Sequence, residues 1–298
     1  MKVLLFGKNG QVGWELNRSL QPLGEVIALG RDEADFLNLG SLRVIVQNIK
    51  PDVIVNASAY TAVDKAEEQE DVALIVNAEA PRVLAEEALK IDALLVHYST
   101  DYVFNGEKDA PYVETDEPCP INVYGRSKLK GEVAIQSTGC RYLILRTSWV
   151  YASRGRNFLL TILKLAAERD SLSIISDQIG SPTSARLLAD TTLLCIGKMN
   201  EEDGGERYAS GVYHVTASGE TTWYEFALAA IDMADAIDGY VKMVRSIEKI
   251  TTAEYPAKAE RPLNSHMSNI KIMRDYHVEL PSWESGLALC IEELYSAG

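Results

Sequence analysis

Short apolar runs alternate with helically spaced segments through the first half of this 298-residue chain, and that alternation constrains the fold more than any other feature. Runs at 3–6, 25–29, 52–56, 93–96 and 141–146 read as strands, those at 52–56 and 93–96 apolar enough to be buried on both faces. Between them, segments at 14–20, 42–49, 72–89 and 128–135 carry helical spacing, with Pro81 expected to kink the third. Strands joined through helices make parallel βαβ units. The expected fold is therefore α/β, a doubly wound parallel sheet of Rossmann type whose ligands sit at the carboxyl edge.

Beyond residue 154 the rhythm changes. Helical spacing returns at 157–168, 184–196, 223–236 and 283–295, and strands are expected at 172–175 and 211–215. Loops are expected at 177–183, at 198–207, which is highly charged, and at 255–268, which carries Pro and Arg. No second glycine turn occurs there. The expected organisation is a dinucleotide-binding domain over 1–154 and a smaller mixed α/β lobe, mainly substrate-binding, over 155–298, with some of its elements returning to the first sheet.

Composition narrows the function classes. A formal net charge of −14 argues against non-specific binding to nucleic acid or anionic membranes, both of which need a basic face. An anionic small ligand remains compatible where arginines cluster. The four cysteines show no CxxC pair and no partnered histidines, as expected for reduced thiols of a cytoplasmic protein without a metal site. The amino terminus is apolar too briefly for a signal peptide, and no stretch reaches the roughly 18 apolar residues of a membrane span.

Gly7-Lys-Asn9-Gly10-Gln11-Val12-Gly13 lies between the first strand and a helix, the context a dinucleotide fingerprint requires. Its glycines permit a tight turn and close approach to a pyrophosphate, which a helix amino terminus stabilises. The spacing is GxxGxxG rather than GxGxxG, and such turns also join strands to helices with no ligand. After the second strand, Arg31 stands where the adenosine ribose is read; it favours NADPH, with NADH tolerated, unless it is a solvated surface arginine. The small residues Ala57, Ser58 and Ala59, with Tyr60, end the third strand and let a flat ring or phosphates come close, or simply pack tightly.

The most informative stretch is 97–128. The strand at 93–96 runs into Tyr98-Ser-Thr100-Asp101, and after a polar loop Tyr124-Gly-Arg-Ser-Lys128 opens a helix. Tyrosine and lysine four apart share a helical face with Cβ atoms roughly 5–6 Å apart. An ammonium there favours the phenolate and lowers the tyrosine pKa from about 10. With Thr100 the trio offers a proton donor, a tuning charge and an orienting hydroxyl.

GKNGQVG, VNASAYTAVDKAE, YSTDYVFNG, INVYGRSKLKGE, LRTSWVY, DQIGSPT, TTWYEFA and RPLNS together resemble the extended short-chain dehydrogenase/reductases, in the branch that reduces 4-keto-6-deoxysugar nucleotides. The resemblance runs nearly end to end. It implies Thr100, Tyr124 and Lys128 as the catalytic trio, with Tyr124 as acid and Lys128 on the nicotinamide ribose. The implied substrate is a dTDP-4-keto-6-deoxysugar, dTDP-4-dehydro-L-rhamnose, reduced at C4 to dTDP-L-rhamnose. Asp35 and Phe36 are implied at the adenine edge, and Asn77 joins the cofactor set. Arg261 is the candidate for the diphosphate, against the alternative of an ordinary surface ion pair. Asn157, Gln178 and Thr183 are candidates for the thymine or diphosphate, Trp149 for the sugar unless it is core, and Asp101 and Tyr102 for the sugar unless they cap the strand. Some relatives dimerise around magnesium near the first helix; Glu15 is present here, but Arg186 stands where further carboxylates are sought, so no metal is expected and a homodimer stays open. Two other readings keep the fold: a ketoreductase of opposite stereochemistry, and a non-catalytic regulatory subunit like that of methionine adenosyltransferase.

Overall fold

A strand buried on both faces must find helices for each, and the chain supplies them in order. In a computed structural model, which describes residues 1–199 and 210–295, β1 (Lys2–Phe6) turns through glycines into α1 (Gln11–Ser19), and β2 (Glu25–Leu29) leads to α2 (Leu39–Ile49). β3 (Val53–Asn56) is followed by α3 (Val63–Ala66), α4 (Glu70–Leu74) and α5 (Ala80–Lys90). Then come β4 (Leu94–Thr100), α6 (Val123–Thr138) and β5 (Arg141–Thr147). The second half continues with β6 (Val150–Tyr151), α7 (Phe158–Glu168), β7 (Ser171–Ile175), β8 (Ile179–Gly180), β9 (Thr183–Ser184) and α8 (Ala185–Met199). It closes with β10 (Gly211–His214), β11 (Thr221–Thr222), α9 (Trp223–Asp235), β12 (Ser246–Ile250), α10 (Ile270–Tyr276) and α11 (Trp283–Tyr295).

The main sheet has the order β10-β5-β4-β3-β1-β2, and every neighbouring pair is parallel. Its order reverses between β1 and β3, which opens a crevice at their carboxyl ends. Side chains alternate across the sheet: Val3 and Leu5 join α1, α8 and α10 in one core layer, whereas Leu4 and Phe6 join α2 and α5 in the other. A separate core, built on Leu159, Leu172, Phe226, Ile231 and Leu287, holds α7, α9 and α11 against β7 and β12. The sheet's last strand, β10, comes from the second half of the chain and pairs with β5. No helix of the described residues is long and apolar enough to cross a membrane.

β4 ends at Thr100, inside the Tyr98-Ser-Thr-Asp101 stretch where the strand is expected to close. Pro81 lies inside a helical run that is continuous through α4, a π-helical turn (Ile75–Glu79) and α5, so the irregularity expected at the proline takes the form of that π turn on its amino-terminal side. β12 and α10 were not foreseen: β12 is short, mostly exposed and paired only with β7, so its alternation is faint. The charged loop expected at 198–207 lies outside the described residues beyond Met199, and Lys198 and Met199 close α8.

Candidate active site

The glycine turn is built for close approach. Gly7 has φ +90°, and a Cβ there would lie 2.8 Å from the Ala57 carbonyl carbon; one on Gly13 would lie 2.0 Å from the Gly7 oxygen. Only glycine fits such positions, so β1, β3 and the start of α1 converge as a side-chain-free cradle. Gly10 caps α1, and the Gly10 N–H donates to the Gly7 carbonyl at 2.9 Å.

Two clefts open from this cradle. The first, about 670 Å³, is lined by Gly7, Asn9, Gly10, Arg31, Asp35 and Phe36 along one wall and by Ala57, Ser58, Ala59 and Tyr60 along the other. Lys65 and Gln69 also face it, neither foreseen. The second, about 370 Å³, shares Asn9, Gly10, Ala57 and Ala59 and extends past Gln11 and Val12 to Tyr124 and Lys128. Thr61, Ser99, Thr147 and Arg156 complete it, again unforeseen. A long, bent ligand with a diphosphate at the glycines fits both clefts, as a dinucleotide would.

Gly13 and Asn77 line neither. Asn77 is fully buried; its amide accepts from the Tyr60 N–H at 2.8 Å and donates to the Tyr60 carbonyl at 3.0 Å and the Ser127 hydroxyl at 2.9 Å. It acts on the cleft by fixing the backbone of the 57–60 wall. Its own carbonyl, which Pro81 four residues on cannot pair, lies against Gly131, where a Cβ would come within 2.1 Å.

Tyr124, in the first turn of α6, lines the second cleft, and Thr100, the buried last residue of β4, is hydrogen-bonded to it. Asn122 caps α6, accepting from the Gly125 N–H at 2.8 Å and donating to the Glu260 carbonyl at 2.8 Å. Gly125 lets the helix approach the following turn: a Cβ there would lie 2.1 Å from the Tyr102 oxygen. The Tyr102 ring meets the Tyr124 ring edge-on at 5.7 Å. Thr100 donates to the Asp101 carboxylate at 2.9 Å and accepts from the Tyr102 N–H at 3.2 Å.

The electrostatics differ from the expectation. Lys128 is buried, and its Nζ donates to the Tyr98 carbonyl at 2.6 Å and meets His97 Nε2 at 3.2 Å; no hydrogen bond joins it to Tyr124. Burial pushes the Tyr124 phenol up to about 12, a hydrogen bond with Thr100 opposes this, and the Asp101 charge adds to it. The same desolvation pushes Lys128 down to about 8, against the pull of Glu132, and Asp101 up to about 6. Tyr124 and Lys128 lie four residues apart on α6 as expected, but the lysine tip is drawn to β4. Burial thus favours Tyr124 as a protonated acid over a phenolate.

The remaining candidates divide. Trp149, at φ +46°, stacks on Trp223 with centroids 3.6 Å apart, and Trp223 Nε1 donates to Gln178 at 3.1 Å. Gln178 and Arg261 line one hollow of about 240 Å³ with Thr252, Tyr255 and Lys258. Arg261 is already in an ion pair, 2.8 Å from Asp64. Two further candidates have their side chains engaged within the protein. Thr183 is wholly buried, its hydroxyl donating to the Ser181 carbonyl at 2.9 Å and accepting from the Ala217 N–H at 3.2 Å. Asn157 caps α7 by accepting from the Leu160 N–H at 2.9 Å, and donates to Gln11 at 2.7 Å, which sets it behind the glycine turn. Glu15 and Arg186 line a separate cavity of about 150 Å³ with Glu293, and no cluster of three His, Cys, Asp or Glu that could hold a metal ion occurs among the described residues.

Comparison with known proteins sets this geometry in context. Residues 1–296 match the family described as the RmlD substrate binding domain. The chain is 48% identical to the dTDP-4-dehydrorhamnose reductase of Burkholderia thailandensis, over 99% of this chain and 100% of the relative. It resembles the crystal structure of a dTDP-4-dehydrorhamnose reductase from Clostridium acetobutylicum with a TM-score of 0.90 and 35% identity, covering 99% of each chain. A Bacillus anthracis dTDP-4-dehydrorhamnose reductase solved in complex with NADP gives a TM-score of 0.87 at 34% identity, covering 98% of this chain and 99% of that one.

Proposed function

The chain belongs to the RmlD substrate binding domain family, and from that premise we propose that it is an NADPH-dependent oxidoreductase that reduces the 4-keto group of dTDP-4-dehydro-L-rhamnose to dTDP-L-rhamnose. The observation that carries the reading is the meeting of a protonated Tyr124 with Thr100 where the cleft from the glycine cradle ends.

The cofactor residues are assigned by chemistry. The diphosphate fits the side-chain-free turn at Gly7 and Gly10, with the amino terminus of α1 behind it. Arg31 and Lys65 supply cationic partners for a 2′-phosphate in the first cleft, and Asp35 and Phe36 flank the adenine end. Lys128 and Tyr124, which line the second cleft, would hold the ribose of the nicotinamide. The reduced nicotinamide, when bound, supplies the hydride. The protein's part is to hold and protonate the sugar. Thr100 turns its hydroxyl from Asp101 to the C4 oxygen, and Tyr124 gives that oxygen its proton, leaving an alcohol and a phenolate that solvent reprotonates.

For the dTDP part, the hollow between Gln178 and Arg261 carries groups an anionic nucleotide needs, a guanidinium, an amide and the Tyr255 ring, and Trp223 fixes Gln178 by a hydrogen bond. On this reading the second half of the chain is mainly the substrate lobe, and 1–154 mainly the cofactor domain. Asp64 keeps Arg261 oriented until a diphosphate displaces it. The test is NADPH oxidation followed at 340 nm with enzymatically generated dTDP-4-dehydro-L-rhamnose, with NMR of the product. Formation of dTDP-L-rhamnose is expected; the C4 epimer, or no turnover, would overturn the assignment.

A further inference from the structure

The segment that joins β6 to α7, 152–157, places two arginines on either side of a glycine, and the structure gives them different tasks. All three residues, Arg154, Gly155 and Arg156, are exposed. Arg154 serves as an anchor: its guanidinium lies 3.9 Å from the centre of the Trp14 ring on α1, a ring that Arg18 also covers at 4.6 Å. The Asn157 amide closes the segment on itself and on α1, donating to the Ala152 and Arg154 carbonyls at 2.8 and 3.2 Å and to Gln11 at 2.7 Å. Gly155, at φ +78°, packs on the same Gln11 side chain, where a Cβ would come 3.2 Å from Cγ.

These contacts hold the segment against the first turn of α1 and leave Arg156 over. It lines the second cleft together with Asn9, Gly10, Gln11 and Val12, and its guanidinium has no ion pair or hydrogen bond among the described residues. The glycine turn lacks such a group. The amino terminus of α1 supplies roughly half a positive charge, against a doubly charged diphosphate and in a chain of net charge −14. Lys8, the cation of the turn itself, is paired with Glu33 at 2.6 Å, and Lys128 is held at β4 by the Tyr98 carbonyl at 2.6 Å. No carboxylate lines the second cleft to compete for a cation. We propose that Arg156 is a cofactor-binding residue that pairs with the diphosphate of the dinucleotide, while Arg154 and Trp14 hold its loop on α1.

This inference deepens the cofactor assignment above and rests on the diphosphate lying at Gly7 and Gly10. The other anionic groups of the two ligands have cations of their own. Arg31 and Lys65 stand in the first cleft, where the 2′-phosphate is assigned, and Arg261 stands in the hollow assigned to the sugar nucleotide; Arg156 lines neither. A planar guanidinium meets two phosphate oxygens at once, which an ammonium does not. Anchoring the backbone beside it leaves less of the loop to be ordered when the ligand arrives. Gln11, bonded to Asn157 and lining the cleft, ties the loop to the very turn that receives the diphosphate.

The test is calorimetric titration of the full chain with NADPH, with 2′-phospho-ADP-ribose, which keeps the diphosphate and lacks the nicotinamide, and with 2′-AMP, which has no diphosphate. Arg156→Gln is expected to weaken the first two at least about tenfold and to leave 2′-AMP within about twofold, which also reports that the variant is folded. The salt dependence of NADPH binding should flatten, and Arg156→Lys should regain part of the affinity. An equal loss for 2′-AMP, a loss confined to NADPH, or no loss overturns the proposal. So does a loss of dTDP binding in Arg156→Gln, which would give the arginine to the sugar nucleotide. Arg154→Gln, with the anchor gone and Arg156 in place, should show a smaller loss on the same two ligands; wild-type affinity there overturns the anchoring role. No readout involves turnover. A wild-type chain that binds no dinucleotide refutes the proposed function, whereas one that binds NADPH equally well with Arg156→Gln refutes this inference alone.

Discussion

The Thr100 hydroxyl donates its one proton to the buried carboxylate of Asp101 at 2.9 Å, so the orienting group of the site is held by a charge with almost no access to water. Thr100 can serve a substrate oxygen only by giving up that bond. The carboxylate in turn keeps the neighbouring phenol protonated.

Burial raises the Asp101 pKa to about 6, above its unfolded value, so this group's contribution to stability is complete below the unfolded pKa and is lost as pH rises through about 6. Asp101→Asn has no such loss. Its stability relative to wild type should therefore improve between pH 4 and pH 7, by at most about 3 kcal/mol. Urea unfolding of both proteins at the two pH values checks this; a pH-independent difference would contradict the burial of a charge.

Tyr124→Phe should lower kcat by about 10²–10⁴ while leaving NADPH affinity within a few-fold, because the phenol acts as acid rather than as the main anchor. Thr100→Val should cost roughly 10²–10³ and Thr100→Ser much less. Steady-state kinetics with a fluorescence titration of the cofactor separate the two effects.

Arg261→Met should raise KM for the sugar nucleotide at least tenfold with kcat little changed. Its ion pair with Asp64 is partly exposed and contributes at most about 1 kcal/mol, so the melting temperature should hardly move. A stability loss with KM intact would make the pair purely structural.

Gly125→Ala should damage activity and stability together. Its methyl would meet the Tyr102 carbonyl at 2.1 Å and push back the start of α6, which carries Tyr124 and Lys128. Overpacking of this kind costs about 1–3 kcal/mol. Thermal unfolding and turnover, measured on one preparation, test it.

Asn77→Ala leaves the Tyr60 N–H and carbonyl without the partners that hold the cofactor wall. A loss of about 1–3 kcal/mol in stability is expected, with weaker NADPH binding and an unchanged KM for the sugar. Calorimetric titration of NADPH distinguishes this from a general loss of folded protein.

The parts of the site that were legible before folding are those that depend on local spacing. Gly7, Gly10 and Gly13 between a strand and a helix announce a cradle because only a side-chain-free turn serves that junction. Tyr124 and Lys128 announce a shared helical face because 3.6 residues make a turn. Asn157 and Thr183 sit in suggestive segments, but the structure also ties their side chains to Gln11 and Ala217, partners far off in sequence that spacing does not indicate. β12 was missed because a short, mostly exposed strand carries too little apolar pattern to be heard above the loops beside it.

The sequence by itself determined the alternation of strand and helix, the glycine cradle and the helical face that pairs Tyr124 with Lys128, because these follow from backbone geometry and periods of two and 3.6 residues. Tertiary structure alone decided the electrostatics of that pair. Lys128 turns to His97 and the Tyr98 carbonyl, and Tyr124 keeps its proton, because β4 passes beneath α6 and excludes water from both. Protonation is set by which groups surround a side chain and how much water they leave it, and neither is written in the spacing of the residues.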